Sequence, residues 1–215
     1  VRLPDSSQHL AIVGANGSGK TQAAQWHLSQ RDINTRPWVI YNYKSDKTID
    51  GIPYAKDISL GEIPIKPGVY IAHPQPDEND AVEAQMWAIW ERESIGVYVD
   101  EGYMVGDRNP AFRALLTQGR SKEIPVIVLS QRPVWMDRFV FSEATFFQIF
   151  RLNHRKDRRN VEEFVPADLD YRLPDFHSYY YDVGLNRVTI LKPVPSIAQI
   201  HKTFEQRLKH VRQTI

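Results

Sequence analysis

Apolar positions along the chain fall into short runs separated by polar, glycine- and proline-rich stretches, and their spacing alternates between continuous and helical. His9 to Val13, Pro37 to Tyr43, Gly68 to Ala72, Ile95 to Val99 and Pro125 to Ser130 are runs of strand length with few polar breaks. Such runs are the pattern of strands covered on both faces. Ala144 to Leu152 adds one more. Between them, Thr21 to Gln30 places Ala23, Ala24 and Leu28 on one side, and Ala81 to Arg92 repeats Val82, Met86, Ile89 and Trp90 at helical spacing. Pro110 to Gln118 reads as a helix opened by Asn109 and Pro110 and stopped by Gly119. Gly51 to Pro67 and His73 to Asp80 read as connections. Further on, Asp157 to Phe164 predicts a short charged helix, and Ser178 to Asp182 with Arg187 to Leu191 a hairpin across Gly184, Leu185 and Asn186. Ser196 to Val211 predicts a closing basic helix. This alternation predicts an α/β fold, a mostly parallel sheet with helices on both faces, followed by a C-terminal hairpin and helix.

Composition narrows the picture. A length of 215 residues with 42% hydrophobic content suits one domain over 1–215, its core at about 8–165 and the hairpin and basic helix at about 174–212. Twenty-seven Lys and Arg against 26 Asp and Glu leave a formal charge of +1, so no global basic field marks the chain for nucleic acid, and any such contact must be local. Cysteine is absent, which removes disulfide frameworks, thiolate metal sites and cysteine nucleophiles together. The longest apolar runs fall far short of the roughly 20 residues that span a bilayer, so no transmembrane segment is expected, and no export signal is visible.

The first strand runs into Gly14, Ala15, Asn16, Gly17, Ser18, Gly19, Lys20 and Thr21, which match G-x-x-x-x-G-K-[ST] between a strand and a helix, where the motif's mechanism requires it. Backbone N–H groups of such a loop turn inward around phosphates, and the helix N-terminus adds positive potential. Lys20 is placed to reach the β- and γ-phosphates and Thr21 to ligate Mg²⁺. Ile95 to Val99 is followed directly by Asp100 and Glu101, an apolar strand ending in paired carboxylates. Asp100 is read as the second Mg²⁺ ligand and Glu101 as the group that polarises the attacking water. Asp46, Asp50 and Asp77 are rivals, but none directly follows an apolar strand. Gln131, after the strand ending in Ser130, is placed to sense the γ-phosphate from the neighbouring strand.

Taken together, GANGSGKT, GVYVDE and GRSKEIPVIVLSQRP resemble the HerA-FtsK group of P-loop motor ATPases, over Leu10 to about Leu152. The resemblance implies a RecA-like core with the Gln131 strand between the strands of the phosphate loop and the acidic pair. It also implies ATP and Mg²⁺ as cofactors, and an arginine shortly before the glutamine that completes a neighbouring subunit's site. Arg120 matches that arginine, with Arg113, Arg132 and Arg108 as competitors. An arginine supplied in trans implies a homo-oligomeric ring, a pentamer or hexamer in line with the family. A chain this short looks most like the genome-packaging ATPases of tailless, internal-membrane viruses. That implies work on double-stranded DNA in the infected host cell or at the virion packaging vertex, with a capsid vertex protein as a further partner.

Two basic stretches are available for DNA: His154 to Arg159, and the last helix with Lys202, Arg207, Lys209, His210 and Arg212. Acidic residues are interleaved in both, so each also reads as a solvated helix face. Tyr179, Tyr180 and Tyr181 read as packing within the hairpin rather than as a base-stacking surface. Two other readings share the phosphate loop. One is an assembly ATPase of the filamentous-phage type, or another non-translocating P-loop protein acting on a protein partner, and the other is a small-molecule kinase.

Overall fold

A computed structural model describes residues 1–105, 109–209 and 211. Its elements follow the hydrophobic runs. β1 (Leu10–Val13) leads through the glycine-rich loop into α1 (Lys20–Gln30), and β2 (Pro37–Asn42), β4 (Gly68–Ala72), β5 (Gly96–Asp100), β6 (Val126–Ser130) and β7 (Phe146–Ile149) are the buried strands. α3 (Asn79–Arg92) and α4 (Pro110–Gln118) are the amphipathic helices. Asn109 caps α4 by accepting from the Phe112 N–H at 2.8 Å, as the Asn-Pro start predicts. β7 is shorter than its apolar run because the Arg151 carbonyl turns away to accept from Ala15 N–H at 2.8 Å, tying the strand's exit to the glycine-rich loop.

Three short elements lie in stretches expected to be connections or left unassigned: α2 (Lys47–Asp50), β3 (Lys56–Asp57) and α5 (Arg138–Ser142). Each is too short to show a period, but Asp46 and Asp137 cap the two helices with their carboxylates. The charged helix, α6, runs from Arg155 to Glu162, two residues earlier than the charge pattern suggested. β8 (Ser178–Asp182) and β9 (Arg187–Leu191) form the hairpin, and α7 (Ile197–Leu208) closes the described chain with a Ser196/Gln199 capping box.

The sheet order is β3-β4-β2-β5-β6-β1-β7-β8-β9, parallel from β3 to β7, with the hairpin added antiparallel at β7. As expected, β6 lies between β5 and β1. Val82, Met86 and Ile89 of α3, with Phe112 and Leu115 of α4, cover one face. Ala23, Ala24 and Leu28 of α1, with Ile200, Phe204 and Leu208 of α7, cover the other. Alternate residues of β5 divide between the two clusters, Val97 and Val99 to the first and Tyr98 to the second, which is why its sequence is apolar without a break. From β1 and β2 the chain moves toward β4, whereas from β5 and β6 it moves toward β7, so crevices open at the carboxyl ends between β6 and β1 and between β5 and β2.

Candidate active site

The glycine-rich loop leaves β1 in close contact with β7. A Cβ at Gly14 would lie 2.6 Å from Phe150 Cβ and 2.7 Å from Ser18 Oγ, so only glycine lets the loop start where it does. Gly19 stands at φ 99, a left-handed conformation that turns the chain into α1. Lys20 is buried, and its Nζ curls back to donate to the Ala15 carbonyl at 3.1 Å. Burial lowers the pKa of this ammonium, with the nearby Glu101 charge acting in the opposite direction.

Opposite the loop, β5 delivers the acidic pair. Asp100 and Glu101 are both buried, and both line a cavity of about 470 Å³ with Asn16, Gly17, Gly19, Lys20 and Thr21. The sequence-predicted phosphate and carboxylate groups therefore meet in one place. Burial, reinforced by the Glu101 charge, pushes the Asp100 carboxyl up to about 7. Among the described residues none donates a hydrogen bond to that carboxylate. A buried carboxylate of this kind calls for a cation. Mg²⁺ fits it, because Thr21 brings a hydroxyl to the same cavity and this ion takes few protein ligands, completing its shell with phosphate and water oxygens. Among the described residues no group of three or more His, Cys, Asp or Glu side chains forms a metal cage.

Glu101 is held in a different manner. Its backbone stands at φ 67, a strained conformation for a residue with a Cβ. Its Oε1 is paired with Lys44 Nζ, and its Oε2 accepts the Gln131 backbone N–H at 3.2 Å. Lys44 is a site residue that the sequence did not reveal, since the only signal is a lysine shortly after a buried strand. β2 pairs with β5 in a register that sets Asn42 beside Asp100, so the chain just beyond β2 arrives next to Glu101. Asp46 also lines the cavity, but its carboxylate is occupied in capping α2, 2.8 Å from the Thr48 N–H. Asp50 is taken by Asn42 Nδ2 at 2.8 Å, and Asp77 lies in an exposed turn away from the site.

Gln131 is brought to the acidic pair through its backbone, while its side-chain amide donates to the Tyr103 hydroxyl at 3.2 Å. The arginines separate. Arg132 pairs with the buried Asp157 at 2.9 Å and lies over Trp135, and Arg113 pairs with Asp137 at 2.6 Å. Arg120 is exposed in the turn before β6, at the amino edge of the sheet and so across the sheet from its own chain's cavity. Arg108 lies outside the described residues.

The two basic stretches also differ. In α6, Arg158 is tied to Asp170 at 2.6 Å and Arg159 to Glu162 at 3.1 Å, whereas Arg155 and Lys156 are exposed with no ion pair among the described residues. α7 is docked on the sheet through Phe204 and Leu208, and Arg207 donates to the Ser29 carbonyl at 2.5 Å. His210 and Arg212 lie outside the described residues. Tyr180 is buried against Phe146 and His27, and Tyr181 faces Phe147, in agreement with a packing role for the tyrosine cluster. Among the described residues no helix is long and apolar enough to cross a membrane.

No protein-family model matches the chain. Among solved structures, the genome packaging NTPase B204 of Sulfolobus turreted icosahedral virus 2, in complex with AMP, superposes with a TM-score of 0.69 over 89% of this chain and 100% of its own, at 18% identity. ATPases 2 and 3 of EssC from Geobacillus thermodenitrificans superpose with a TM-score of 0.67 over 97% of this chain and 45% of theirs, at 10% identity. These likenesses establish the fold, a RecA-like α/β core. In sequence, the chain is 48% identical to DNA packaging ATPase P9 of Enterobacteria phage PRD1 over 226 aligned positions, which cover 100% of this chain and 99% of P9. Identity at that level along both full lengths, on a fold whose phosphate loop and acidic pair close one cavity, places the chain in the family of viral DNA packaging ATPases to which P9 belongs.

Proposed function

We propose that the chain hydrolyses ATP to drive double-stranded DNA into a preformed viral capsid. One observation carries this reading: the phosphate loop, Asp100 and Glu101 meet in a single cavity, in a chain that matches a DNA packaging ATPase from end to end.

The geometry of the cavity supports one division of roles among its residues. Loop N–H groups and Lys20 hold the β- and γ-phosphates. The Thr21 hydroxyl and the Asp100 carboxylate hold Mg²⁺, which when bound draws charge from the phosphate oxygens. Glu101 takes a proton from water as the water oxygen attacks the γ-phosphorus and the bond to the β-phosphate oxygen breaks, releasing ADP and phosphate. Lys44 and the Gln131 N–H are positioning groups that fix the direction of the Glu101 carboxylate. Arg120, across the sheet from its own cavity, serves the site of a neighbouring subunit in a ring, so hydrolysis requires assembly.

The DNA contact is assigned to Arg155 and Lys156, which are free of internal ion pairs among the described residues, rather than to the docked α7. The motor works in the infected host cell, at the vertex through which the capsid is filled. Double-stranded DNA is expected to stimulate ATP turnover with a steep loss of stimulation as salt rises. Replacing Arg155 and Lys156 together by alanine is expected to flatten that salt dependence by roughly one unit of slope for each phosphate no longer neutralised. Turnover that DNA does not change at low salt would leave an assembly ATPase acting on protein as the better account.

A further inference from the structure

The cavity that holds the phosphate loop and the acidic pair does not end at the phosphates. It is also lined by Phe176, from the segment before β8, and by Ile197, the first residue of α7. Two features of Phe176 stand out. It is 55% exposed, a large apolar ring left mostly in water, and its backbone stands at φ 61. A left-handed conformation is unfavourable for a bulky residue and persists only where the surroundings enforce it. Here the turn enforces it, with the His177 N–H donating to the Pro174 carbonyl at 3.1 Å. The ring is in turn laid on the phosphate loop: a Cβ at Gly19 would be 3.4 Å from Phe176 Cδ1. On the other side of the ring a second cavity, of about 170 Å³, is walled by Gly17, Phe150, Arg151 and His177. The ring is thus a partition standing beside the loop.

We infer that Phe176 is the stacking platform for the base of the nucleotide whose phosphates the loop holds, in a cavity that Ile197 also lines. This inference rests on reading the cavity as the nucleotide site. The phosphate loop has no feature that recognises a base, so the base must be met by a segment outside it, and Phe176 is an exposed ring within van der Waals reach of the loop. A ligand face explains the exposure of the ring, while the turn fixes its backbone. Gln22 lines the same cavity, but its amide Nε2 is committed to the Pro195 carbonyl at 2.7 Å, so recognition there is by area more than by hydrogen bonds. Stacking of this kind tolerates base identity, so the ring adds affinity for nucleotides as a class over a base-free polyphosphate.

The test compares a ligand with a base and one without. Calorimetric affinities for Mg²⁺-ATP and for Mg²⁺-tripolyphosphate are measured on the full chain as wild type, Phe176→Ala and Phe176→Tyr. The alanine variant is expected to lose roughly 10-fold in ATP affinity while tripolyphosphate binding stays within about twofold, and the tyrosine variant to keep both. Unchanged ATP affinity in Phe176→Ala, or an equal loss for both ligands, would overturn the platform; the second result would make the ring a support for the loop. Wild-type binding of tripolyphosphate as tight as that of ATP would likewise remove the platform, yet leave the phosphate site standing. Binding of neither ligand would overturn the nucleotide site and the platform together.

Discussion

The two edges of the sheet treat their polar groups in opposite ways. At the amino edge, charge and hydrogen-bonding capacity are closed internally. His9 uses both ring nitrogens, one bonded to the Leu116 carbonyl at 2.9 Å and the other accepting the Val126 N–H at 3.0 Å. Arg36 meets Asp32 at 2.5 Å and Glu123 at 3.5 Å, and Lys122 meets Glu93 at 2.5 Å. At the carboxyl edge, Asp100 is buried with no donor among the described residues, whereas left-handed backbones occur at both edges, at Glu93, Ser94 and Glu123 as well as at Glu101 and Phe176. The two edges therefore differ in charge and not in backbone strain: the amino edge pairs its buried polar groups, whereas the carboxyl edge keeps a buried carboxylate open for a ligand.

Arg120 is the residue that crosses this division, since it sits on the stable edge and is proposed to act at another subunit's open one. Arg120→Ala is expected to reduce turnover by about 10³- to 10⁵-fold without lowering the unfolding temperature. Mixing it with Glu101→Gln subunits is expected to restore part of the activity, because some mixed interfaces carry both groups, and turnover assays of defined mixtures check this. Absence of any rescue would return Arg120 to the amino edge as a surface residue.

Glu101→Gln comes next, with turnover expected to fall by about 10²- to 10⁴-fold while ATP is still bound, as read by single-turnover and binding measurements. Full turnover in that variant would remove Glu101 from the reaction. A pair of stability measurements then tests the contrast directly. His9→Ala strands the Val126 N–H and the Leu116 carbonyl and is expected to cost about 3 kcal/mol, whereas Asp100→Asn is expected to gain about 1 kcal/mol at pH 8 by removing a buried charge. Denaturant unfolding of both variants decides it, and equal losses would abolish the distinction between the edges.

The amino edge also has a pH dependence. Burial lowers the His9 pKa from 6.5 to about 4, so between these values the unfolded chain binds the extra proton and the folded chain does not. Stability is therefore complete above 6.5, falls as the pH drops through 6.5, and levels off below about 4. Going from pH 7 to pH 5, His9 is expected to cost on the order of 2 kcal/mol. His27, buried and lowered to about 3 by the same cause, adds to the loss in the same direction. Denaturation midpoints of wild type and His9→Ala at the two pH values check it, the variant being the less sensitive.

Much of the carboxyl edge was legible in the sequence. GANGSGKT and the Asp100–Glu101 step are contiguous, and each lies at the end of an apolar run, so local pattern located them. α2, β3 and α5 were not legible because four, two and five residues cannot show a period. The order of residues was enough to dictate a parallel α/β sheet, a phosphate loop between its first strand and first helix, and an acidic pair at the end of a strand. Folding in three dimensions was needed to select the distant residues that complete that end. Lys44 reaches Glu101, 57 positions away, because β2 lies beside β5 in the register that matches Asn42 with Asp100. Phe176 reaches Gly19 because the hairpin pairs back onto β7 next to the loop, and Arg120 is carried to the far edge because α4 runs back across the sheet before β6 begins. A motif is fixed by neighbours in the chain, and a site by neighbours across the sheet, which strand order and register set over long sequence separations.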